Sequence, residues 1–138
     1  MSSAPDSRRS QLPRELPLVL IADGHDDTRE LYEFALPSYG FRTIVVEDGT
    51  QVVERASESK PDIIVTEIYL PQHDGWSVVE QLKRDARTRD IPVVVLTGYT
   101  AASVRERASS EGCAALLMKP YLPEELARAL RELLNGAA

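Results

Sequence analysis

The fold of this chain is decided by the stretch PDIIVTEIYLPQHDG, residues 61–75. An apolar run, Ile63 to Val65, leads into the acid Glu67, and a turn-rich segment that ends at Gly75 follows. Ionised carboxylates are rarely left unpaired in a core, so an acid where a buried strand meets a loop indicates a site. In open α/β sheets such sites lie beyond the carboxyl ends of the strands. Glu67 is therefore the first candidate site residue.

The same alternation of an apolar run and a helix-period segment occurs five times along the chain. The predicted strands cover residues 18–23, 43–46, 62–67, 92–97 and 114–118, and the predicted helices cover residues 26–36, 50–57, 75–83, 100–108 and 123–134. Near-continuous apolar strands are typical of a parallel sheet that is buried on both faces. Right-handed crossovers then place helices on each side. The pattern predicts a doubly wound α/β domain.

Local signals bear on the first and the last predicted helix. Helical spacing places Leu31, Phe34 and Ala35 on one face, which is expected to meet the core. Asp26 is better placed than Asp23 to cap the start of this helix. Pro37 is expected to end or kink it. At the other end of the chain, Gly136 is expected to follow the last helix.

The composition is that of one acidic domain. The chain has 138 residues, of which 43% are hydrophobic, and its net charge is −6, which argues against a dedicated nucleic-acid binder. A single cysteine, Cys113, excludes an intrachain disulfide and is expected in the core. No apolar stretch approaches the ~20 residues that span a membrane. The N-terminus lacks the apolar segment of a signal peptide, so a cytoplasmic location is expected.

The chain divides into a leader and one domain. Residues 1–16 are rich in Ser, Pro and Arg and lack periodicity, so we expect a disordered leader there. Residues 17–136 form the predicted domain. Because the chain ends just after the last predicted helix, a stand-alone protein without an attached output domain is expected.

Four side chains meet at the predicted strand ends. Asp23 ends the first strand, Glu67 the third and Thr97 the fourth, and Lys119 follows the fifth. His25 and His73 lie on predicted loops at the same edge. Histidine with carboxylates suits zinc or another transition metal, so a metal-binding or metal-dependent hydrolytic site is one alternative. Two solvated loop histidines are the simpler interpretation.

Short landmarks occur in register with the five strand–helix pairs. They are Pro61-Asp62, Leu70-Pro71, Asp74-Gly75, Ile91-Pro92, Thr97-Gly98 and Lys119-Pro120. Together they make the chain resemble the receiver domain of two-component response regulators over about residues 17–135. The resemblance implies a flavodoxin-like sheet with strand order 2-1-3-4-5 and five helices. It also implies a bacterial-type phosphorelay and a sensor histidine kinase as partner.

The resemblance assigns a chemistry to the four side chains. In the family, an aspartate at the position of Glu67 attacks a phosphodonor and forms an acyl phosphate. A divalent cation, held by acids after the first strand, here Asp23, neutralises the phosphoryl oxygens. A hydroxyl and an ammonium, here Thr97 and Lys119, bind the remaining oxygens. The family also implies a cis bond before Pro120.

Three positions depart from the family pattern. Glu67 is one methylene longer than the acceptor aspartate, which misplaces it for in-line attack. Gly24 stands where the family has a metal-binding acid, so weak Mg²⁺ binding is expected. Leu116 stands where the family often has an aromatic residue that switches orientation. The longer side chain of Glu67 predicts a direct ion pair with Lys119. Glu67 is also expected to reach toward Thr97 and partly imitate the phosphorylated state.

Two functional hypotheses remain open from the sequence. In the first, the chain is a stand-alone, degenerate receiver that acts by protein–protein contact, is not an enzyme and is not phosphorylated in the conventional way. In the second, it is a phosphoryl-accepting receiver that uses Mg²⁺ with Glu67 and Asp23. A sensor histidine kinase or another signalling protein is the expected partner in both. A homodimer is an open alternative, and neither nucleic acid nor a membrane is expected to bind.

Overall fold

A parallel sheet of five strands forms the centre of the computed structural model, which describes residues 15–99 and 101–136. The strands are β1 (Leu18–Ala22), β2 (Arg42–Val46), β3 (Ile63–Thr66), β4 (Val93–Thr97) and β5 (Ala115–Met118). The helices are α1 (Asp26–Ala35), α2 (Gly49–Ser59), α3 (Gly75–Arg84), α4 (Ala102–Ser110) and α5 (Pro123–Gly136), with a 3-10 turn at Leu36–Tyr39. The strand order β2-β1-β3-β4-β5 confirms the predicted fold. Residues 1–14 of the predicted leader, and Thr100 at the predicted start of the fourth helix, lie outside the described residues.

The central strands are apolar because helices cover both of their faces. Every residue of β1, β3 and β4 is buried, whereas most residues of the edge strands β2 and β5 are half-exposed or exposed. Parallel pairing aligns Ala22 with Thr66 and Thr66 with Val95. The strands therefore end at nearly the same level, which brings the residues after them to one edge of the sheet.

Two hydrophobic cores lie on opposite faces of the sheet. Successive residues of β1 alternate between them: Val19 and Ile21 face one core, and Leu20 and Ala22 face the other. Helices α1 and α5 close the first core, and α2 and α3 close the second. Helix α4 buries a single residue, Ala108. None of the helices in the described ranges is both long and apolar enough to cross a membrane.

Helix α1 turns a different face to the core from the one predicted. Leu31 is 48% exposed and Phe34 is 87% exposed, whereas Tyr32 is buried, as is Leu36 at the start of the 3-10 turn that follows. Both pairs satisfy helical spacing, so the sequence pattern did not choose between them. Burial of Tyr32 is compatible with its hydroxyl because that group donates to the carbonyl of Tyr121 at 2.5 Å. The prediction of a buried Leu31–Phe34 face is wrong.

The ends of α1 also differ in part from the prediction. The residue before the helix is His25, and its side chain makes no capping hydrogen bond. Asp26 is the first helical residue and pairs with Arg29 one turn later, so Asp26 is not the N-cap. The predicted end is correct, because Pro37 lies in the 3-10 turn that follows α1. Gly136 belongs to α5 rather than following it.

Candidate functional site

The four candidate side chains lie together at the carboxyl edge of the sheet. Asp23 directly follows β1, Glu67 directly follows β3, Thr97 ends β4 and Lys119 directly follows β5. Main-chain hydrogen bonds continue past the ends of the strands. The amide of Glu67 donates to the carbonyl of Ala22 at 3.0 Å, and the amide of Lys119 donates to the carbonyl of Thr97 at 2.9 Å. These main-chain hydrogen bonds therefore hold the backbone of Glu67 and of Lys119 in place at the edge of the sheet.

Glu67 is a buried carboxylate with a partner on each oxygen. Its residue is 5% exposed. Oε1 lies 3.0 Å from Nζ of Lys119, and Oε2 accepts the main-chain N–H of Ile68 at 2.7 Å. The predicted Glu67–Lys119 ion pair is present. A hydrogen bond from the next residue in the chain holds the carboxylate back toward its own backbone.

Lys119 also binds Asp23, a contact that the sequence did not predict. Its Nζ donates to Oδ2 of Asp23 at 2.7 Å, so one ammonium bridges two buried carboxylates. Oδ1 of Asp23 accepts the main-chain N–H of His25 at 2.9 Å and lies 3.1 Å from Nδ1 of its ring. The guanidinium of Arg29 donates to the Asp23 carbonyl at 2.8 Å. Asp23 is thus fixed through both its side chain and its main chain.

The electrostatics of Lys119 follow from this double contact. Partial burial alone would lower the pKa of its ammonium. The contacts with Asp23 and then Glu67, and the negative charges of both, outweigh burial and leave the pKa above its ordinary value. Lys119 is therefore charged at any physiological pH.

Thr97 lies at the site but does not bind Glu67. It is fully buried, and its Oγ1 accepts the main-chain N–H of Tyr99 at 3.3 Å. Within the described ranges, no hydrogen bond joins Thr97 to Glu67. The expectation that Glu67 reaches toward Thr97 is wrong, because Lys119 and Ile68 hold its two oxygens.

An aromatic pair at the loops beside the site was also missed by sequence reasoning. Tyr69 and Tyr99 stand two residues beyond Glu67 and Thr97, and their ring centroids are 4.5 Å apart with an interplanar angle of 51°. Both side chains are more than half exposed. Each tyrosine lies two residues after a candidate residue at the end of one of two neighbouring strands. This shared spacing is the sequence signal that could have indicated the contact.

The position after Asp23 is closed by a proline ring. A Cβ atom on Gly24 would lie 2.9 Å from Cδ and 3.4 Å from Cγ of Pro71. The Pro71 carbonyl accepts the amides of Gly49 at 3.1 Å and His73 at 2.9 Å, which fixes the loop against this glycine. Gly24 therefore offers no side-chain oxygen, and a side chain at this position would require movement of Pro71.

The two histidines do not join the acids in a metal centre. His25 contacts Asp23 with a ring that is 74% exposed, while His73 packs against Gly49. In residues 15–99 and 101–136, no group of three or more His, Cys, Asp or Glu side chains could hold a metal ion. The lysine ammonium lies between the two buried carboxylates instead.

Two further positions singled out from the sequence lie away from the acids. Leu116 is half-buried and lines an open cavity of about 360 Å³ together with Cys113 and Met118. Cys113 is only partly buried rather than a full core residue. Burial raises the pKa of its thiol to about 11, so it is a weak nucleophile at neutral pH.

Comparison with known proteins agrees with this architecture. A family description, response regulator receiver domain, matches residues 19–131. This chain belongs to the response regulator receiver domain family. The assignment agrees with the cis peptide bond between Lys119 and Pro120.

Individual relatives of this receiver domain come from several bacteria. The phosphate regulon transcriptional regulatory protein PhoB of Escherichia coli is 32% identical over 117 residues, which are 85% of this chain and 51% of PhoB. The chain thus spans about half the length of the first of these relatives. The polar-differentiation response regulator DivK of Brucella anthropi is 29% identical and is covered over 97% of its length.

Solved structures show the same fold. The chemotaxis response regulator CheY4 of Vibrio cholerae superimposes with a TM-score of 0.79 at 22% identity, covering 86% of this chain and 98% of that one. The receiver domain of a sensor histidine kinase from Pseudomonas aeruginosa, solved with a magnesium ion in its active-site cleft, has a TM-score of 0.79 at 28% identity, with the same coverage.

The residues of this receiver domain do not fit a divalent ion of that kind. Mg²⁺ requires several oxygen ligands in near-octahedral geometry. Asp23 and Glu67 direct one oxygen each to Lys119, and the remaining oxygens accept main-chain amides. Gly24 supplies no side-chain oxygen. The carboxylate oxygens at this site therefore suit the ammonium group of Lys119 rather than a divalent ion.

Proposed function

We propose that this receiver domain is a stand-alone component of two-component signalling that acts by protein–protein contact. Its partner is a sensor histidine kinase or another signalling protein, and it works in the cytoplasm without conventional aspartate phosphorylation and without being an enzyme. Coverage of DivK over 97% of its length supports the single-domain form. The net charge of −6 favours a protein partner over nucleic acid.

The observation that carries this proposal is that both carboxylate oxygens of Glu67 already have a partner. An acceptor carboxylate needs one oxygen free to attack phosphorus in line with the leaving group. Here Oε1 is paired with Lys119 and Oε2 accepts the amide of Ile68. Attack would require breaking one of these contacts inside a buried site, and the extra methylene moves the carboxylate from the position that an aspartate would take.

A second candidate function is a receiver that forms an acyl phosphate on Glu67 with Mg²⁺. The retention of Thr97 and Lys119 at the ends of β4 and β5 favours it, because a hydroxyl and an ammonium would both stabilise phosphoryl oxygens. The glycine at position 24 and the closed loop at Pro71 oppose it.

Intact-mass spectrometry separates the two functions. The unaltered protein, Glu67→Asp and Glu67→Gln are each incubated with acetyl phosphate and Mg²⁺. The proposal predicts no phosphoryl adduct on the unaltered protein. An adduct that mild base removes, and that Glu67→Gln does not form, would overturn it and establish the second function.

The Glu67→Asp variant then shows which feature of the site prevents phosphorylation. An adduct on this variant alone would show that the extra methylene prevents phosphorylation and that the surrounding groups are competent. The absence of an adduct on every variant would show that Gly24 and the Lys119 bridge are sufficient to prevent it. Both results agree with the proposal.

A further inference from the structure

We infer that Arg107 holds helix α4 on helix α3 through Trp76 and Glu80, and that α4 opens as a local unit when these contacts are lost. The thiol of Cys113 lies next to the buried face of α4, so the opening exposes it to solvent. This opening is a property of the folded domain, and it does not depend on which protein the domain contacts or on whether Glu67 is phosphorylated.

Helix α4 has few apolar contacts with the rest of the domain. Of its nine residues, Ala108 is buried and Val104 is half-buried, while the other seven are exposed. The residue before the helix is Ala101, whose methyl side chain cannot cap the helix with a hydrogen bond. By contrast, α3 buries three branched apolar side chains, those of Val78, Val79 and Leu82. Segments with little buried apolar surface open more easily than the core of a domain, so α4 should open more easily than α3.

Arg107 supplies contacts from α4 to α3. Its guanidinium carbon lies 5.3 Å from the ring centroid of Trp76, which is within the range of a cation–π contact. Its Nη2 lies 3.4 Å from Oε2 of Glu80, which is one turn further along α3. Its Nε donates to Oε2 of Glu111, directly after α4, at 3.1 Å. Three groups therefore surround one guanidinium, and two of them belong to α3.

These contacts depend on salt concentration because they lie near the surface. The side chain of Arg107 is 45% exposed and that of Glu80 is 38% exposed. Ion pairs between exposed charges are weak, and salt screens them. They still matter for α4, because Ala108 and Val104 provide little apolar burial to replace them. Loss of the guanidinium should therefore increase the open population of α4 while the rest of the domain stays folded.

The α3 side of this contact is fixed beside the site. The main-chain N–H of Gly75, the first residue of α3, donates to the carbonyl of Ile68. The carbonyl oxygen of Glu67 lies where a side chain of this glycine would project, so the backbone is closely packed there. Trp76 is the next residue of α3. Because its helix is anchored at this point and by its buried side chains, α4 is the element that moves when the contact with Arg107 breaks.

Cys113 reports on the opening because of its position beside α4. Its amide donates to the carbonyl of Ala108 at 3.0 Å, and its side chain packs against the second hydrophobic core. Burial raises the pKa of its thiol to about 11, so the reactive thiolate is scarce until α4 moves away. Cys113 is the only cysteine of the sequence, so a thiol reagent gives a single signal. The labelling rate of this thiol therefore measures the open population of α4.

The test measures the rate at which dithiodipyridine, a neutral thiol reagent, labels Cys113 in the unaltered protein and in Arg107→Met. The methionine keeps an unbranched apolar side chain and removes the guanidinium. Loss of one cation–π contact and of the ion pairs should raise the labelling rate about fivefold or more. Sodium chloride at about 1 M should accelerate labelling of the unaltered protein and should change the rate of Arg107→Met much less.

Arg128→Met is the matched control, because Arg128 is an exposed arginine whose ion pair with Glu124, at 3.7 Å, lies within α5. Its labelling rate should equal that of the unaltered protein. Labelling of Arg107→Met should depend only weakly on urea, because opening of α4 exposes much less surface than global unfolding does. Equal labelling rates in the unaltered protein and Arg107→Met would overturn the inference. So would labelling of Arg107→Met with the full urea dependence of global unfolding, followed by circular dichroism.

Discussion

Nζ of Lys119 lies 3.0 Å from Oε1 of Glu67, and the same ammonium donates to Asp23 at 2.7 Å. The side chain that follows β5 therefore joins the residues that follow β1 and β3. Both carboxylates are buried, while the lysine side chain is 22% exposed. A charged bridge of this kind fixes the relative position of the three loops that follow these strands.

Replacing Lys119 by methionine should destabilise the domain. Removing one partner of a buried pair leaves uncompensated charge and costs about 3–5 kcal/mol. Because the lysine is partly exposed, the expected loss is about 3 kcal/mol. Urea unfolding in a metal-free buffer measures it. Lys83→Met should change the free energy of unfolding by less than about 0.5 kcal/mol. Equal losses in the two variants would contradict a specific role for the bridge.

Tyr32 should make the domain sensitive to alkaline pH. Burial, and next the charge of Asp23, raise the pKa of its phenol from 10.0 to about 12. Because the folded pKa is the higher one, the stabilising effect of the neutral phenol is complete below pH 10 and is lost as the pH rises toward 12. The difference in unfolding free energy between the unaltered protein and Tyr32→Phe should shrink over that interval.

Ultraviolet titration observes the ionisation of Tyr32 directly. The unaltered protein should show a component that ionises late, and Tyr32→Phe should remove it. A late component that persists in Tyr32→Phe would contradict the assignment.

Two glycines at the edge of the sheet should respond differently to alanine. A Cβ at position 24 would meet Pro71 at 2.9 Å, whereas a Cβ at Gly98 would meet nothing within 4 Å. Gly24→Ala should therefore cost about 1–3 kcal/mol through overpacking. Gly98→Ala should be neutral or stabilising by up to about 1 kcal/mol. Denaturant unfolding of both variants checks the pair, and equal effects would show that Pro71 yields freely.

The face that α1 and the 3-10 turn after it present to the core can be tested by two truncations, one at Leu36 in the turn and one at Phe34 in the helix. Leu36→Ala removes a fully buried side chain and should cost about 2–5 kcal/mol. Phe34→Ala removes a side chain that is 87% exposed and should change stability by less than about 0.5 kcal/mol. If Phe34→Ala proved as costly as Leu36→Ala, the described orientation of α1 would be wrong.

The sequence predicted the sheet well because the physical signal is strong there. Runs such as Ile63 to Val65 are continuous only when both faces of a strand are buried, and five of them in alternation with helices leave few arrangements. The ends of the strands then place Asp23, Glu67, Thr97 and Lys119 at one edge without further information.

What the sequence did not predict depends on packing between distant segments. Whether Leu31 or Tyr32 faces the core is a rotation of one residue along α1, and the buried residue is Tyr32, which packs in the core and whose hydroxyl donates to the distant carbonyl of Tyr121. The approach of Pro71 to Gly24 depends on the path of a loop. Neither contact can be predicted from the local sequence pattern, because each joins residues that are far apart in the chain.

The Lys119–Asp23 bond was missed for a related reason. The charge of Glu67 was enough to predict one partner for the lysine, but a second carboxylate within reach requires the actual spacing between strands. The hydrogen bond from the Ile68 amide similarly explains why Glu67 does not extend to Thr97. The geometry of the site therefore depends both on the spacing between strands and on this short-range main-chain contact.

The central claim is that Glu67 is already neutralised by Lys119 and does not accept a phosphoryl group. The most direct measurement is an amide NMR titration of the unaltered protein with Mg²⁺ followed by beryllofluoride, a phosphoryl mimic that binds competent acceptor carboxylates. We predict that the amide signals of Asp23, Ile68 and Lys119 stay in place through both additions. Saturable shifts of these signals on adding beryllofluoride and Mg²⁺ would contradict the claim, because they would show an acceptor that the lysine does not block.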